Sequence, residues 1–131
     1  MRWVSVNAAI AMHDALLADH GGLPGIRDRG LLESALARPR NLMAYGTPSL
    51  FELAASYCVG VARNHPFADG NKRAAFAVAT SFLHANGRWL RAAEEEAVVV
   101  VEGVAAGEIG EEELTAWFEK NTVPTPGSES R

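Results

Sequence analysis

The chain has 131 residues, 48% hydrophobic and 21% charged, with a formal net charge of −4. That suits one soluble domain able to bury roughly two-thirds of its unfolded surface, and it excludes a disordered chain. The acidic balance argues against nonspecific nucleic-acid or anionic-membrane binding as the main activity.

The N-terminus reads as a helix rather than a leader: Ser5 can cap a helix to about Asp19, closed by Gly21-Gly22. A turn, LPGIRD, follows, and Asp28 can cap a short helix to about Ala37. Residues 38–48, RPRNLMAYGTP, contain Pro39, Gly46 and Pro48 and predict a surface loop or small hairpin. Ser49 opens a helix to about Arg63, apolar on nearly every side, which places it at the centre of the fold. The segment from Asn71 to His84 is similarly apolar and stops at Asn86-Gly87. The run AVVVVEGVAA, 97–106, fits a buried strand or a helix; no second strand candidate lies nearby to pair with it, so it is read as helix. A last helix spans about Glu111 to Asn121. The expected architecture is an all-α domain of about six helices over residues 1–122, followed by a disordered tail, 123–131. No run reaches membrane-spanning length, and the cytoplasm is the expected address. The only cysteine, Cys58, rules out a disulfide framework and a thiolate metal cluster.

Between the two apolar helices lies HPFADGNKR, 65–73. Its cations Lys72 and Arg73 fall where a helix begins, next to the positive end of the helix dipole, at a cost of a few tenths of a kcal/mol each. A bound anion reverses that sign. The N–H groups from Gly70 through Arg73 are the unpaired donors of a helix start and can cradle a phosphate, with Gly70 allowing close approach. His65, expected to be extended before Pro66, can act as a general base near neutral pH. Asp69 is a hard oxygen ligand suited to Mg²⁺ on a polyphosphate. Phe67 is the expected hydrophobic anchor of the loop, and Asn71 can hold the loop or donate to a phosphate. Singly, each residue is ordinary loop chemistry; together, on a rigid mounting, they make a candidate site.

HPFADGNKR resembles the motif of the Fic/Doc family, H-x-F-x-D/E-G-N-G-R-x-x-R in its AMP-transferring branch. HDALLADHGGLPGIRD, LLESALARPR, LFELAASYCVGVARNHPFADGNKR and SFLHANG resemble the Doc branch, so the likeness covers nearly the whole domain. Two departures from the AMP-transfer pattern stand out: Lys72 replaces the second glycine, and Ala74-Ala75-Phe76 follow Arg73 where a second arginine belongs. The resemblance to Doc implies a compact Fic-fold bundle whose motif loop joins two buried helices, with a small flap hairpin. It implies ATP bound in reverse, so that the γ-phosphate is transferred to a hydroxyl of a target protein. His65 takes the proton, Asp69 holds Mg²⁺, and Arg63, Gly70, Asn71, Lys72 and Arg73 contact phosphates. Residues 38–48 look like the flap that pairs with the target by strand-like hydrogen bonds, with Arg38, Asn41 and Tyr45 as its contact residues. The implied target is elongation factor Tu, and the implied regulator is a Phd-like antitoxin whose C-terminal segment folds into an apolar groove. Neither DNA binding by the chain itself nor a membrane enters this reading.

Two rivals stay open: a transferase attaching AMP or another NMP, against which Lys72 argues, and a silent nucleotide- or partner-binding module, against which the intact His65 and Asp69 argue. The sequence has neither a Walker A loop nor the motif set of ordinary protein kinases. Thr115 and Glu119 approach the family's self-inhibitory pattern S/T-x-x-x-E-G/N, but Lys120 misses its last position, and the match is taken as chance. His13, His20 and His84 have no partners at metal-ligand spacing and read as helix-surface or helix-end residues. Cys58, Trp117 and Phe118 read as core, and Glu94–Glu96 and Glu111–Glu113 as solvated first-turn acids.

Overall fold

Ser5 Oγ accepts the Ala8 N–H at 3.1 Å and starts α1 (Val6–His20) in the computed structural model, which describes residues 1–126. The Asp28 carboxylate caps α2 (Arg29–Tyr45) through the Leu31 N–H, 3.0 Å. At α3 (Leu50–Asn64), Ser49 and Glu52 satisfy each other's backbone N–H groups in a capping box. There follow α4 (Asn71–Ala85), β1 (Arg88–Leu90), α5 (Glu94–Ala105), α6 (Glu111–Lys120) and β2 (Thr122–Pro124). The ambiguous valine run is therefore helical, and three glutamates occupy the first turn of α5 and of α6, where the dipole favours them.

α3 is the axis of the domain. Its ten consecutive residues Leu53–Ala62 are all buried, as its all-round apolar sequence requires, and α2, α4, α5 and α6 pack around it. Tyr57 reaches from this axis to accept the Val4 N–H at 2.9 Å, pinning the N-terminus. Among the described residues no helix is long and apolar enough to cross a membrane.

Among the described residues the all-α bundle of six helices agrees with expectation, but the small strand pair is not where the sequence reading put it. Residues 38–45 continue α2, with Pro39 buried inside the helix. A proline there deletes one helical hydrogen bond, and by local rules alone it costs about 3 kcal/mol. Tertiary contacts override the rule. At Gly60 of α3 a β-carbon would lie 3.1 Å from Ala35 Cα and 3.1 Å from Arg38 Cδ, so the two helices meet closely in the turn just before the proline. Arg38 then donates to the Ser56 carbonyl of α3 at 3.0 Å and to Glu111 of α6 at 2.8 Å.

The two strands are β1 and β2, paired antiparallel with Trp89 opposite Val123. Each is three residues long and their partners lie far apart in sequence, so neither shows an alternation to read. Residues 123 and 124 are thereby ordered in a strand rather than belonging to a disordered tail, and the Thr125 N–H continues the pairing to the Gly87 carbonyl at 2.9 Å. The rest of the expected tail, 127–131, lies outside the described residues.

Candidate active site

The C-terminus of α3 and the N-terminus of α4 face each other across the motif loop, and a cleft of about 880 Å³ opens there. His65, Asp69, Gly70, Asn71, Lys72 and Arg73 all line it. Its other wall is largely apolar, with Leu16, Phe76, Leu90, Val98 and Val101, while Glu94 and Glu102 add carboxylates.

His65 ends α3 in a left-handed conformation, φ 50° and ψ 55°. It is not extended, as its place before Pro66 suggested. The helix end explains the difference: a left-handed residue closes α3, and Arg27 clamps that end through the Asn64 carbonyl, 2.9 Å, and the His65 carbonyl, 2.7 Å. Asn64 itself donates to the Leu31 carbonyl at 3.0 Å. The His65 side chain is left exposed at the cleft.

Phe67 is 1% exposed and points inward. Its backbone is gripped by the Asn71 amide, which accepts the Phe67 N–H at 2.9 Å and donates to the Phe67 carbonyl at 3.0 Å. Of the two roles open to Asn71, holding the loop is the one its side chain performs.

Asp69 projects into the cleft, with Oδ2 accepting the Leu23 N–H at 3.1 Å and Oδ1 the Gly70 N–H at 2.8 Å. These two bonds, Leu23 first, together with the nearby Arg73 charge, hold its carboxyl below the usual carboxylate value. Each oxygen accepts one of these bonds and retains further acceptor capacity, so the group is an anionic ligand at the cleft. No three metal-ligating side chains cluster among the described residues. A magnesium ion here would therefore take one protein carboxylate and complete its shell with phosphate oxygens and water, which is how Mg²⁺ is commonly held on nucleotides. The residues fit that ion.

Gly70 caps α4 in the left-handed region, φ 71°, without a side-chain cap. The N–H groups of Asn71, Lys72 and Arg73 open the helix without intrahelical acceptors. Lys72 and Arg73 are exposed, and among the described residues neither forms an ion pair. Backbone donors, two cations and the positive helix end are the chemistry that could hold an anion.

Other expected residues lie elsewhere. Arg63 donates to the Val104 carbonyl, 3.1 Å, and the Ile109 carbonyl, 3.1 Å, and so braces the end of α5 rather than lining the cleft. Arg38, Asn41 and Tyr45 border a separate hollow of about 540 Å³ at the opposite end of α3. Arg38 is engaged with α3 and α6, and Tyr45 stands 92% exposed.

The segment that does run beside the motif loop is 22–28. The Arg27 and Asp28 N–H groups donate to the Pro66 carbonyl, Ala68 N–H donates to the Gly25 carbonyl, and Ile26 pairs with Phe67 in an isolated antiparallel bridge. Gly22 presses so close that a β-carbon would sit 2.8 Å from Asp69 Oδ2. The adjacent glycines read locally as a helix stop, which hid this role. His13 was likewise read as a surface residue, yet it is 2% exposed and lies beneath the loop. His20 lines the cleft and His84 packs edge-on against Trp89.

Comparison with known proteins identifies the family. The sequence model of the Fic/DOC family matches residues 3–83. The chain is 43% identical over 110 residues to "Protein kinase doc" of Escherichia phage P1, covering 83% of this chain and 86% of that protein. It is 48% identical over 75 residues to "Toxin Doc" of Mycolicibacterium smegmatis, covering 55% of this chain and 57% of that protein. The fold and the motif loop thus define a member of the Fic/DOC family. Within that family the chain belongs to the Doc branch.

Proposed function

We propose that this protein is the toxin of a toxin–antitoxin pair and transfers the γ-phosphate of ATP to a hydroxyl of a target protein. The single observation that carries the reading is one cleft lined by His65, Asp69 and the cationic start of α4. Names given to its relatives, "Protein kinase doc" and "Toxin Doc", support the same reading.

The chemistry divides among the chain's own groups. The target hydroxyl oxygen attacks the γ-phosphorus, the bond from that phosphorus to the β–γ bridging oxygen breaks, and ADP leaves. His65 takes the hydroxyl proton as the new bond forms. The N–H groups of α4, Lys72 and Arg73 hold the phosphates and offset the charge that spreads over the transferring group. Lys72 stands where the AMP-transferring motif has glycine and fills space needed by the distal phosphates in that orientation, favouring γ-transfer. Mg²⁺, held by Asp69, would supply further charge neutralisation on the phosphates. Phosphoryl transfer asks mainly for positioning and electrostatics, so this small set suffices.

The proposed target is elongation factor Tu, whose modification stops translation, and the proposed regulator is a Phd-like antitoxin. The apolar wall of the cleft gives such a partner's C-terminal segment a surface to cover. ATP labelled at either the α- or the γ-phosphate, incubated with the protein, Mg²⁺ and elongation factor Tu, tests the reading. Label from the γ position alone supports it; label from the α position replaces it with AMP transfer. Loss of transfer and of toxicity in His65→Ala separates both from a silent binding module.

A further inference from the structure

α1 hydrogen-bonds the motif loop through His13, with Leu17 packed nearby against Gly70. The His13 ring is stacked on Phe67 with centroids 3.8 Å apart and planes 6° from parallel, and its Nε2 lies 2.7 Å from the Asp69 carbonyl oxygen. A carbonyl only accepts, so Nε2 carries the hydrogen and donates. We infer that His13 is a positioning residue for Mg²⁺–nucleotide binding, acting by fixing the peptide plane between Asp69 and Gly70. The inference rests on the proposed role of Asp69 as the magnesium ligand.

The carbonyl oxygen of Asp69 and the N–H of Gly70 belong to one planar trans peptide and point in opposite directions. His13 holds the oxygen against α1. The N–H is thereby turned the other way, where it meets Asp69 Oδ1 at 2.8 Å and orients the carboxylate. Nothing in Gly70 itself enforces this, because a glycine at φ 71° rotates with little resistance. Without the His13 donor, the peptide is free to turn its carbonyl toward the cleft, placing an acceptor where phosphate oxygens belong and releasing the carboxylate. Support of a metal ligand by its outer partners carries a recognised cost when removed, typically tenfold or more in metal affinity.

Two substitutions isolate the donor. His13→Leu and His13→Gln both lose the aromatic ring, but only glutamine keeps an N–H group able to reach the Asp69 carbonyl. The assay is binding of a fluorescent ATP analogue to the purified full chain as Mg²⁺ is titrated, with thermal melts run alongside. The expected result is that His13→Leu needs roughly tenfold more Mg²⁺ for half-saturation, while His13→Gln stays within about threefold of the original protein. Equal behaviour of the His13→Leu and His13→Gln proteins would mean that only the ring stack matters and would overturn the inference, as would a His13→Leu protein that binds normally. If His13→Leu does not fold, His13→Met takes its place in the same comparison. Absence of Mg²⁺-dependent binding in the unsubstituted protein is a different failure: it removes the magnesium reading of Asp69 and the inference with it.

Discussion

Arg38→Met removes a guanidinium that joins three helices while keeping an unbranched stem to lie beside Gly60. The ion pair to Glu111 is 37% and 33% exposed at its two side chains, and such pairs contribute about 0.2–1 kcal/mol. The second bond, to the Ser56 carbonyl, is charge-assisted, but that oxygen keeps its helical partner, so its loss costs about 1 kcal/mol rather than a full desolvation penalty. Together the substitution should destabilise by about 1–2 kcal/mol. With about 2.1 cal/mol/K of unfolding entropy per residue over 131 residues, that is a fall in Tm of about 4–7 °C. Calorimetric melts measure it, and high salt should narrow the gap by screening the Glu111 pair. Kinetics with the target protein supply the other half of the test, since Arg38 stands far from the cleft and KM should not move. An unchanged Tm with a raised KM would refute the structural assignment and return Arg38 to the target-binding role suggested by resemblance.

His65→Gly should abolish transfer yet stabilise the domain by about 1 kcal/mol, because glycine relieves the left-handed strain at φ 50°; a lower Tm than the original protein would contradict this. Burial pushes the Cys58 thiol up to about 12, so an alkylating reagent at pH 8 should modify it only after denaturation, and comparable reaction of the native protein would show that α3 opens readily. Asp69 has its carboxyl held down in the folded state, so whatever its hydrogen bonds contribute is complete above the usual 3.8 and fades as pH falls through the lower folded value. Melts of the original protein and Asp69→Asn should therefore converge in acid, and a gap that widens on acidification would mean the sign is wrong.

Helix starts were legible because their causes are local: Ser5, Asp28 and Ser49 each cap the helix they were expected to cap. The nine-residue motif was legible for a related reason, since an anion site at a helix start needs donors, cations and glycine adjacent in sequence. What escaped reading depended on distant partners. Pro39 signals a stop, and only α3 packing at Gly60 and the Arg38 contacts carry the helix past it. β1 has no meaning until residues 122–124 arrive beside it. The conformation of His65 is set by Arg27, and the burial of His13 by Phe67, each far away in the chain. A resemblance supplied a flap at 38–48 but could not say that residues 38–45 would continue α2, or that 22–28 would run beside the loop.

Unfavourable local choices gather in this loop and are held there by contacts from outside it. His65 is the one non-glycine residue at positive φ among the described residues. Lys72 and Arg73 stand at the positive end of α4 with no ion-pair partner among the described residues, and Gly70 leaves that helix without a side-chain cap. A loop selected for stability would place glycine at 65 and an acid at 72 or 73. The surrounding fold instead supplies Arg27 at the helix end, the Asn71 latch on Phe67, and His13 under Asp69. Strain, repelled charge and an open helix start, each braced from outside, are what an anion-binding site needs before its anion arrives. That pattern predicts that nucleotide binding should stabilise the domain more steeply than any single contact in the loop, by mass action on the folded state.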